Sequence, residues 1–254
     1  MKRLIAALLI SIFPALMQGQ MLQAVVGQQA NAATPTTVTF ITNGWCNGNA
    51  GGNSTLCNWT STAPAAGKGV VIGIMLFNSG QSVTSVGDGT GTNQLTGSST
   101  YTCNSIYNNG TNFSSEVCYT CNYQGVSGSG KSVTILGSEQ LYVYGISMTG
   151  QTTSGTGCSD GYAHGQSTSA GTAMLSGTIT TTNAHDLLIG FAANNCGSSP
   201  MTAGTDGQSN TMTMSGQQSN VAGIEYLAES ATHAYQPSAT TGSCKWNLEA
   251  MAFK

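Results

Sequence analysis

Two carboxylates stand four residues apart in the segment Glu225-Tyr-Leu-Ala-Glu229. On a β-strand, residues i and i+4 point to the same face, and a pair of carboxylates does the chemistry of most glycoside hydrolases. Four strand steps separate the two backbones by roughly 13 Å, whereas a retaining glycosidase holds its carboxyl groups roughly 5–5.5 Å apart. We therefore expect two solvated carboxylates on an outer face. A glycoside hydrolase that uses Glu225 and Glu229 is the alternative hypothesis.

A phosphate-binding motif is matched by Gly125-Val-Ser-Gly-Ser-Gly-Lys-Ser132, which fits the pattern G-x-x-x-x-G-K-[ST]. That loop binds phosphate only when a helix follows, because the amides of the helix N-terminus then face the phosphates. Here Val133-Thr-Ile-Leu-Gly137 is rich in β-branched residues and is ended by glycine, which predicts a strand. We expect a hairpin turn at residues 125–132 and no nucleotide partner.

Metal and cofactor sites have little support in the sequence. The turns Asp88-Gly-Thr-Gly-Thr-Asn93 and Asp206-Gly-Gln-Ser-Asn210 contain one carboxylate each, whereas Ca²⁺ takes six to eight oxygens. The three histidines, His164, His185 and His233, lack metal-binding spacing. We expect no metal, no cofactor and no catalytic residue.

Eight cysteines form an even set, which is typical of disulfide bonds in an oxidising compartment. They are Cys46, Cys57, Cys103, Cys118, Cys121, Cys158, Cys196 and Cys244. Cys118-Tyr-Thr-Cys121 has C-x-x-C spacing, but it lies in an apparent strand without a second such pair, so structural disulfides are favoured over a redox or zinc site. A Cys46–Cys57 bridge closing the intervening loop is the favoured pairing.

Aromatic side chains next to neutral amides suggest a sugar-binding surface. Aromatic rings stack on the apolar faces of sugars, and amides and hydroxyls bond to their hydroxyl groups. The best candidate patch surrounds the predicted Cys46–Cys57 loop and consists of Trp45, Asn47, Asn53, Asn58 and Trp59. Asn53, Asn58, Asn109 and Asn112 also begin N-x-[ST] sequons.

Charged residues make up only 6% of the chain. Without the N-terminal segment described next, four lysines and no arginine remain against nine carboxylates, a formal net charge of −5. Nucleic acids are therefore excluded as partners, because binding to phosphate backbones depends on clustered Lys and Arg. The composition favours neutral glycans, or other copies of the chain, as partners.

The N-terminus has the features of a secretory signal peptide over residues 1–32. Lys2 and Arg3 precede an apolar stretch from Leu4 to Met17, and Ala30-Asn-Ala32 fits the A-x-A cleavage pattern. The remaining chain has no second apolar run long enough to span a membrane. We expect a protein that is secreted or held at the cell surface, with one domain over residues 33–254.

Short strands separated by turns predict an all-β fold, an antiparallel β-sandwich or jelly roll of about a dozen strands. Residues 69–77 and 186–193 are continuous apolar runs, which are typical of central strands. Residues 245–253 alternate, with Trp246, Leu248, Ala250 and Ala252 on one face and Lys245, Asn247 and Glu249 on the other, which predicts a half-buried strand.

The order of four segments resembles the β-sandwich modules of bacterial exoproteins that are grouped as concanavalin A-like or jelly-roll. The segments are Val83-Thr-Ser-Val-Gly-Asp-Gly-Thr-Gly-Thr-Asn93, Leu141-Tyr-Val-Tyr-Gly145, His185-Asp-Leu-Leu-Ile-Gly190 and the closing strand that contains Trp246. The resemblance implies adhesion, glycan binding or extracellular assembly, without catalysis. Glu225-Tyr-Leu-Ala-Glu229 is also similar to the E-x-D-x-E strand of laminarinase-like glycosidases, but Leu227 replaces the central aspartate.

Overall fold

The two apolar runs form the middle strands of two antiparallel sheets. The structure is a computed structural model that describes residues 37–46, 55–58, 64–77, 83–87, 99–110, 113–124, 132–137, 141–151, 157–197, 200–218 and 220–254. This part of the chain is built from strands and turns, and none of it forms a helix that is long and apolar enough to span a membrane. The predicted signal peptide, residues 1–32, lies outside the described residues.

Seventeen strands are described, of which twelve are longer than two residues. In chain order they are β1 (Thr37–Cys46), β2 (Thr55–Asn58), β3 (Gly69–Phe77), β4 (Val83–Gly87), β5 (Thr102–Cys103), β6 (Tyr107–Asn108), β7 (Phe113–Thr120), β8 (Ser132–Gly137), β9 (Leu141–Thr149), β10 (Ser159–Leu175), β11 (Ile179–Thr180), β12 (Leu187–Asn194), β13 (Thr202–Ala203), β14 (Thr213–Gln218), β15 (Ala222–Ala228), β16 (Ala234–Tyr235) and β17 (Ser238–Phe253).

The first sheet has the strand order β1-β9-β3-β7-β5, with β6 also paired to β7. The second sheet has the order β10-β17-β12-β15-β14, with β13 also paired to β17. Two smaller units accompany them, a three-stranded sheet β2-β8-β4 and the pair β11-β16. All of the described pairings are antiparallel, which confirms the predicted fold class.

The main core lies between the first and second sheets. Val71, Val117 and Tyr144 from the first sheet belong to the same buried cluster as Phe191 and Met251 from the second. Burial of these side chains on both inner faces is the main apolar stabilisation of a β-sandwich.

The outer faces of both sheets are covered as well, which explains the continuous apolar runs. On the first sheet, Ile72 and Ile74 of β3 pack with Val83 and Val86 of β4. On the second sheet, Leu188 of β12 packs with Ile179 of β11 and Tyr235 of β16. The strands β3 and β12 are therefore buried on both faces, as the apolar runs predict.

The second face of β17 corrects the expectation of a half-buried strand. Asn247 and Glu249 are as buried as Leu248, which lies between them. Glu249 pairs in register with Phe191, whose side chain belongs to the main core. Because cross-strand partners share a face, the polar side of β17 faces the first sheet instead of water.

Among the described residues, three disulfides link strands and loops: Cys103–Cys118, Cys121–Cys158 and Cys196–Cys244. The two cysteines of the C-x-x-C segment therefore pair with different partners. The predicted Cys46–Cys57 bridge stays a prediction, because those two side chains lie outside the described part.

Candidate functional site

The predicted sugar-binding patch cannot be placed as a set of side chains. Trp45 belongs to β1, where its backbone pairs with Tyr142, and Asn58 belongs to β2. Asn47, Asn53 and Trp59 lie outside the described residues, as do the side chains of Trp45 and Asn58. The patch remains a prediction.

The segment that follows the phosphate-loop motif is a strand, as its composition predicts. Ser132–Gly137 is β8, which pairs with β2 on one side and β4 on the other. Residues 125–131 lie outside the described part of the chain. The helix N-terminus that the motif needs is therefore replaced by the beginning of a strand.

The described carboxylates are the unexpected feature of the structure, because all seven are buried. Asp88 and Glu139 lie outside the described residues. The relative exposure is 0% for Asp186, Asp206 and Glu225, 1% for Glu249, 5% for Glu116 and Glu229, and 4% for the Asp160 side chain. The expectation that Glu225 and Glu229 are solvated is therefore wrong.

The side chain of Glu225 on β15 lies over the neighbouring strand β12, because its cross-strand partner there, Gly190, has no side chain. A Cβ added to Gly190 would lie 2.7 Å from Glu225 Oε1. On the other side, the backbone N–H of Gly204 donates to Glu225 Oε2 at 3.3 Å. Burial raises the pKa of Glu225 to about 8, despite that hydrogen bond. The carboxyl group is protonated at neutral pH and closed in by the loop of Gly204.

Glu229 shares a proton with Asp206. The side chains of the two residues are hydrogen-bonded to each other. Asp206 Oδ1 accepts from the backbone N–H groups of Gln208 and Asn210, and Oδ2 accepts from Asn210 Nδ2 at 2.7 Å. Burial opposes ionisation of Asp206, but these donors hold its pKa below the usual range, whereas burial and the nearby Asp206 raise the pKa of Glu229 to about 7.

The hydrogen bonds of Asp206 also explain the turn that was weighed as a calcium site. Three N–H groups occupy the lone pairs that a cation would use. Residues 206–210 therefore form the polar turn that the sequence favours. The other turn, at residues 88–93, lies outside the described part.

Asp160 and Asp186 form a second carboxyl pair, with one proton between them. Asp160 accepts hydrogen bonds from Thr182, from the Asn183 N–H and from Lys254 Nζ at 3.4 Å. Burial opposes ionisation of Asp160, but its donors, Thr182 and Asp186 first among them, lower its pKa to about 2. Burial, followed by the hydrogen bond and charge of Asp160, raises the pKa of Asp186 to about 8. Asp186 is thus the proton-holding member.

Glu249 lies at the polar end of the main core. Tyr162 donates its hydroxyl proton to Glu249 Oε2 at 3.1 Å, and Ser115 is a second partner. Burial raises the pKa of Glu249 to about 8. Next to it, Asn247 Nδ2 donates to Ser115 Oγ at 2.9 Å and to the Tyr107 carbonyl at 3.0 Å. These bonds join the two sheets through buried polar side chains, and Glu249 Oε1 is left without a described partner.

The side chain of Asn109, which begins one of the four sequons, is part of the same hydrogen-bond network. It is fully buried, and its Nδ2 donates to the Trp246 carbonyl at 2.8 Å and to Asn247 Oδ1 at 3.0 Å. An N-linked glycan would have to be joined to this nitrogen, so the folded chain cannot be modified there.

The three histidines occupy different elements. His164 lies in β10 and stacks on Tyr107, with 3.3 Å between ring centroids. Burial lowers the pKa of His164 to about 4, so its ring is neutral. His185 precedes β12, and His233 contacts Tyr235 edge-on.

A carboxyl group adjoins one disulfide. Oxygen and sulfur atoms of Glu116, Cys103 and Cys118 all lie within 4.8 Å of one another, and this is the one such set of potential metal ligands among the described residues. Because the two sulfurs are bonded to each other, the set does not form a metal site in this state. Glu116 and Cys118 are two apart on β7, so their shared face was readable from the sequence. The approach of Cys103 was not.

No family model matches the sequence, and no curated protein was found to be similar to it.

Proposed function

We propose that this chain is a non-catalytic, secreted or cell-surface β-sandwich protein that binds neutral glycans in adhesion or extracellular assembly. The observation that carries the proposal is the burial of all seven described carboxylates. Their burial removes negative charge from the described surface and leaves mainly neutral hydroxyl and amide groups there, with three partly exposed lysines. Sugars are recognised by such groups together with aromatic rings.

The long strand β10 illustrates this surface. It is an edge strand of the second sheet, and Gln166, Thr168, Ser169 and Thr172 are exposed along it. The described lysines, Lys68, Lys245 and Lys254, are only partly exposed. An ionic ligand would find few partners on this surface, whereas a hydroxyl-rich ligand would find many.

Burial of Glu225 and Glu229 argues against the alternative, a secreted glycoside hydrolase. A glycosidase must bring both carboxyl groups to the anomeric carbon of a sugar. Glu225 instead contacts Gly190 and the Gly204 N–H, and Glu229 is bonded to Asp206. These contacts hold both carboxyl groups inside the fold, away from a bound sugar. Sugar binding without hydrolysis is therefore the better proposal.

A glycan array with the purified chain from residue 33 tests the proposal. We expect binding to neutral glycans that is lost when Trp45→Ala and Trp59→Ala are combined. Thr168→Ala on β10 is the control and should bind as the wild type does. Unchanged binding by the double variant would show that the patch is wrong.

Three further outcomes would overturn the proposal. A monomeric protein that binds no glycan on the array would refute it. Hydrolysis of β-glucan that is lost in Glu225→Gln would establish the glycosidase instead. Assembly into multimers without glycan binding would replace glycans with other copies of the chain as the partner.

A further inference from the structure

The Cys103–Cys118 disulfide joins an exposed edge to the buried interior of the first sheet. Cys103 and Cys118 are register partners on β5 and β7. Cys103 is the partly exposed last residue of a two-residue edge strand, whereas Cys118 is fully buried beneath the first sheet's outer layer. A thiol from solution can therefore approach one sulfur of this disulfide and not the other.

Glu116 places a buried carboxyl group beside both sulfurs. Its side chain is on the same face of β7 as Cys118, and its oxygen lies within 4.8 Å of the two sulfur atoms. The Val83 N–H is a hydrogen-bond partner of this carboxyl group, and Glu116 Oε2 has no described partner. Glu116 thus places a buried carboxyl group, with one unpartnered oxygen, next to both sulfurs, where it can exchange a proton with sulfur.

The other two disulfides show what is special about this one. Cys121 and Cys158 are both buried, so a thiol cannot approach either of them. Cys196–Cys244 also combines an exposed cysteine with a buried one. Among the described residues, however, no carboxyl oxygen lies within 4.8 Å of both sulfurs of Cys196–Cys244. It is therefore a natural control for exposure without a proton donor.

We propose that Cys103–Cys118 is a thiol-exchange site and that Glu116 is its proton donor. An incoming thiolate attacks Cys103 Sγ, a new S–S bond forms there, and the Cys103–Cys118 bond breaks with its electron pair going to Cys118 Sγ. Glu116 transfers its proton to that sulfur and becomes a carboxylate that the Val83 N–H stabilises. The incoming sulfur is oxidised to a mixed disulfide, Cys118 is reduced to a thiol, and Glu116 regains a proton from water.

The leaving sulfur needs this proton because it is buried. A thiolate at a desolvated position is costly, and burial in apolar surroundings raises the pKa of a thiol. Desolvation also raises the pKa of Glu116 to about 7, so about half of the molecules hold this proton at pH 7 and most hold it in mildly acidic solution. Tyr101 and Tyr123 belong to the cluster on this face, and Glu249 of the second sheet, across the first sheet from Glu116, interacts with it electrostatically.

The experiment treats the purified, fully oxidised protein with glutathione, quenches by alkylation and identifies each opened disulfide by peptide mass spectrometry. We expect Cys103–Cys118 to open at least about tenfold faster than Cys196–Cys244, as general acid catalysis provides. Its rate divided by the glutathione thiolate concentration should fall as the pH rises through about 7. Glu116→Gln should slow this disulfide at least about tenfold, remove the pH dependence and leave Cys196–Cys244 unchanged.

Equal rates for the two half-exposed disulfides would overturn the proposal. So would a Glu116→Gln variant that exchanges at the wild-type rate, because a merely structural glutamate would not set the rate. If that variant does not fold, the pH profile of the wild-type protein decides alone, and a thiolate-corrected rate that is independent of pH refutes the role of Glu116.

Discussion

Replacement of Asp186 by asparagine is expected to stabilise the protein at neutral pH. In the wild type, the buried Asp186 must hold a proton to donate a hydrogen bond to Asp160. Asparagine has nearly the same shape, and its Nδ2 can donate to Asp160 without a proton that must be taken from solution. The variant thus imitates the protonated acid at every pH.

The magnitude follows from proton linkage. The pKa of Asp186 is about 8 in the folded chain against an ordinary value of 3.8 for an exposed aspartate, so at pH 7 the folded state holds a proton that the unfolded state has lost. Stability from this group is fully present below about pH 4 and is lost as the pH rises towards 8. Each pH unit costs about 1.4 kcal/mol, which over roughly three units is on the order of 4 kcal/mol at pH 7.

The assay is guanidinium unfolding of the oxidised wild type and Asp186→Asn at several pH values from 4 to 9. The two free energies of unfolding should agree near pH 4 and diverge by about 2 to 4 kcal/mol at pH 7, the variant being the more stable. Parallel curves, or a wild type that gains stability between pH 4 and 8 relative to the variant, would refute the reasoning.

Asp206→Asn is the matched control, because it removes the ionised member of the other pair. The pKa of Asp206 is lowered, so its contribution is present above the unfolded pKa and is lost as the pH falls. The control should therefore be less stable than the wild type at pH 7, by about 1–3 kcal/mol, and the difference should shrink in acid. A change of the same sign in both variants would show that acid pairing is not the cause.

Three further substitutions or sites test the core. Gly73→Ala would place a Cβ 2.2 Å from the Phe191 ring and should lower the free energy of unfolding by about 1–3 kcal/mol, measured by guanidinium unfolding; an unchanged midpoint would contradict this packing. Tyr162→Phe removes the donor to Glu249 and should lower the free energy of unfolding by about 1–2 kcal/mol at pH 6, with a larger loss above pH 8, where Glu249 ionises. A variant as stable as the wild type at both pH values would show that the bond is absent. Asn109 should carry no glycan in protein secreted from a glycosylating host, as peptide mass spectrometry can check; a modified Asn109 would be incompatible with its burial.

The main strands were predictable because their signals are local. The apolar runs of β3 and β12 specify strands covered on both sides, and the β-branched composition after Lys131 specifies β8 instead of a helix. The burial of Glu249 was not predictable. Alternation along β17 gives its two faces, but it does not say whether a second sheet or water meets the polar one.

The disulfides were also predictable only in part: the sequence indicated that they form, but not which cysteines pair. An even set of cysteines predicted bridges, but Cys118 and Cys121 are separated by two residues and could not be assigned to partners from spacing. The register of β5 against β7 brings Cys103 to Cys118, and Cys121 bonds to Cys158 from a distant segment. The neighbouring Glu116 acquires its position beside sulfur by the same register.

The sequence by itself determined an all-β chain with disulfides and very few charges, because residue type and period act over a few neighbours. Only the tertiary structure decided where those few charges lie. Asp186 and Glu225 are buried because segments far apart in the chain cover the outer face of the second sheet. Burial is a property of that distant cover, and it converts carboxylates that composition alone would place in water into proton-holding groups inside the fold.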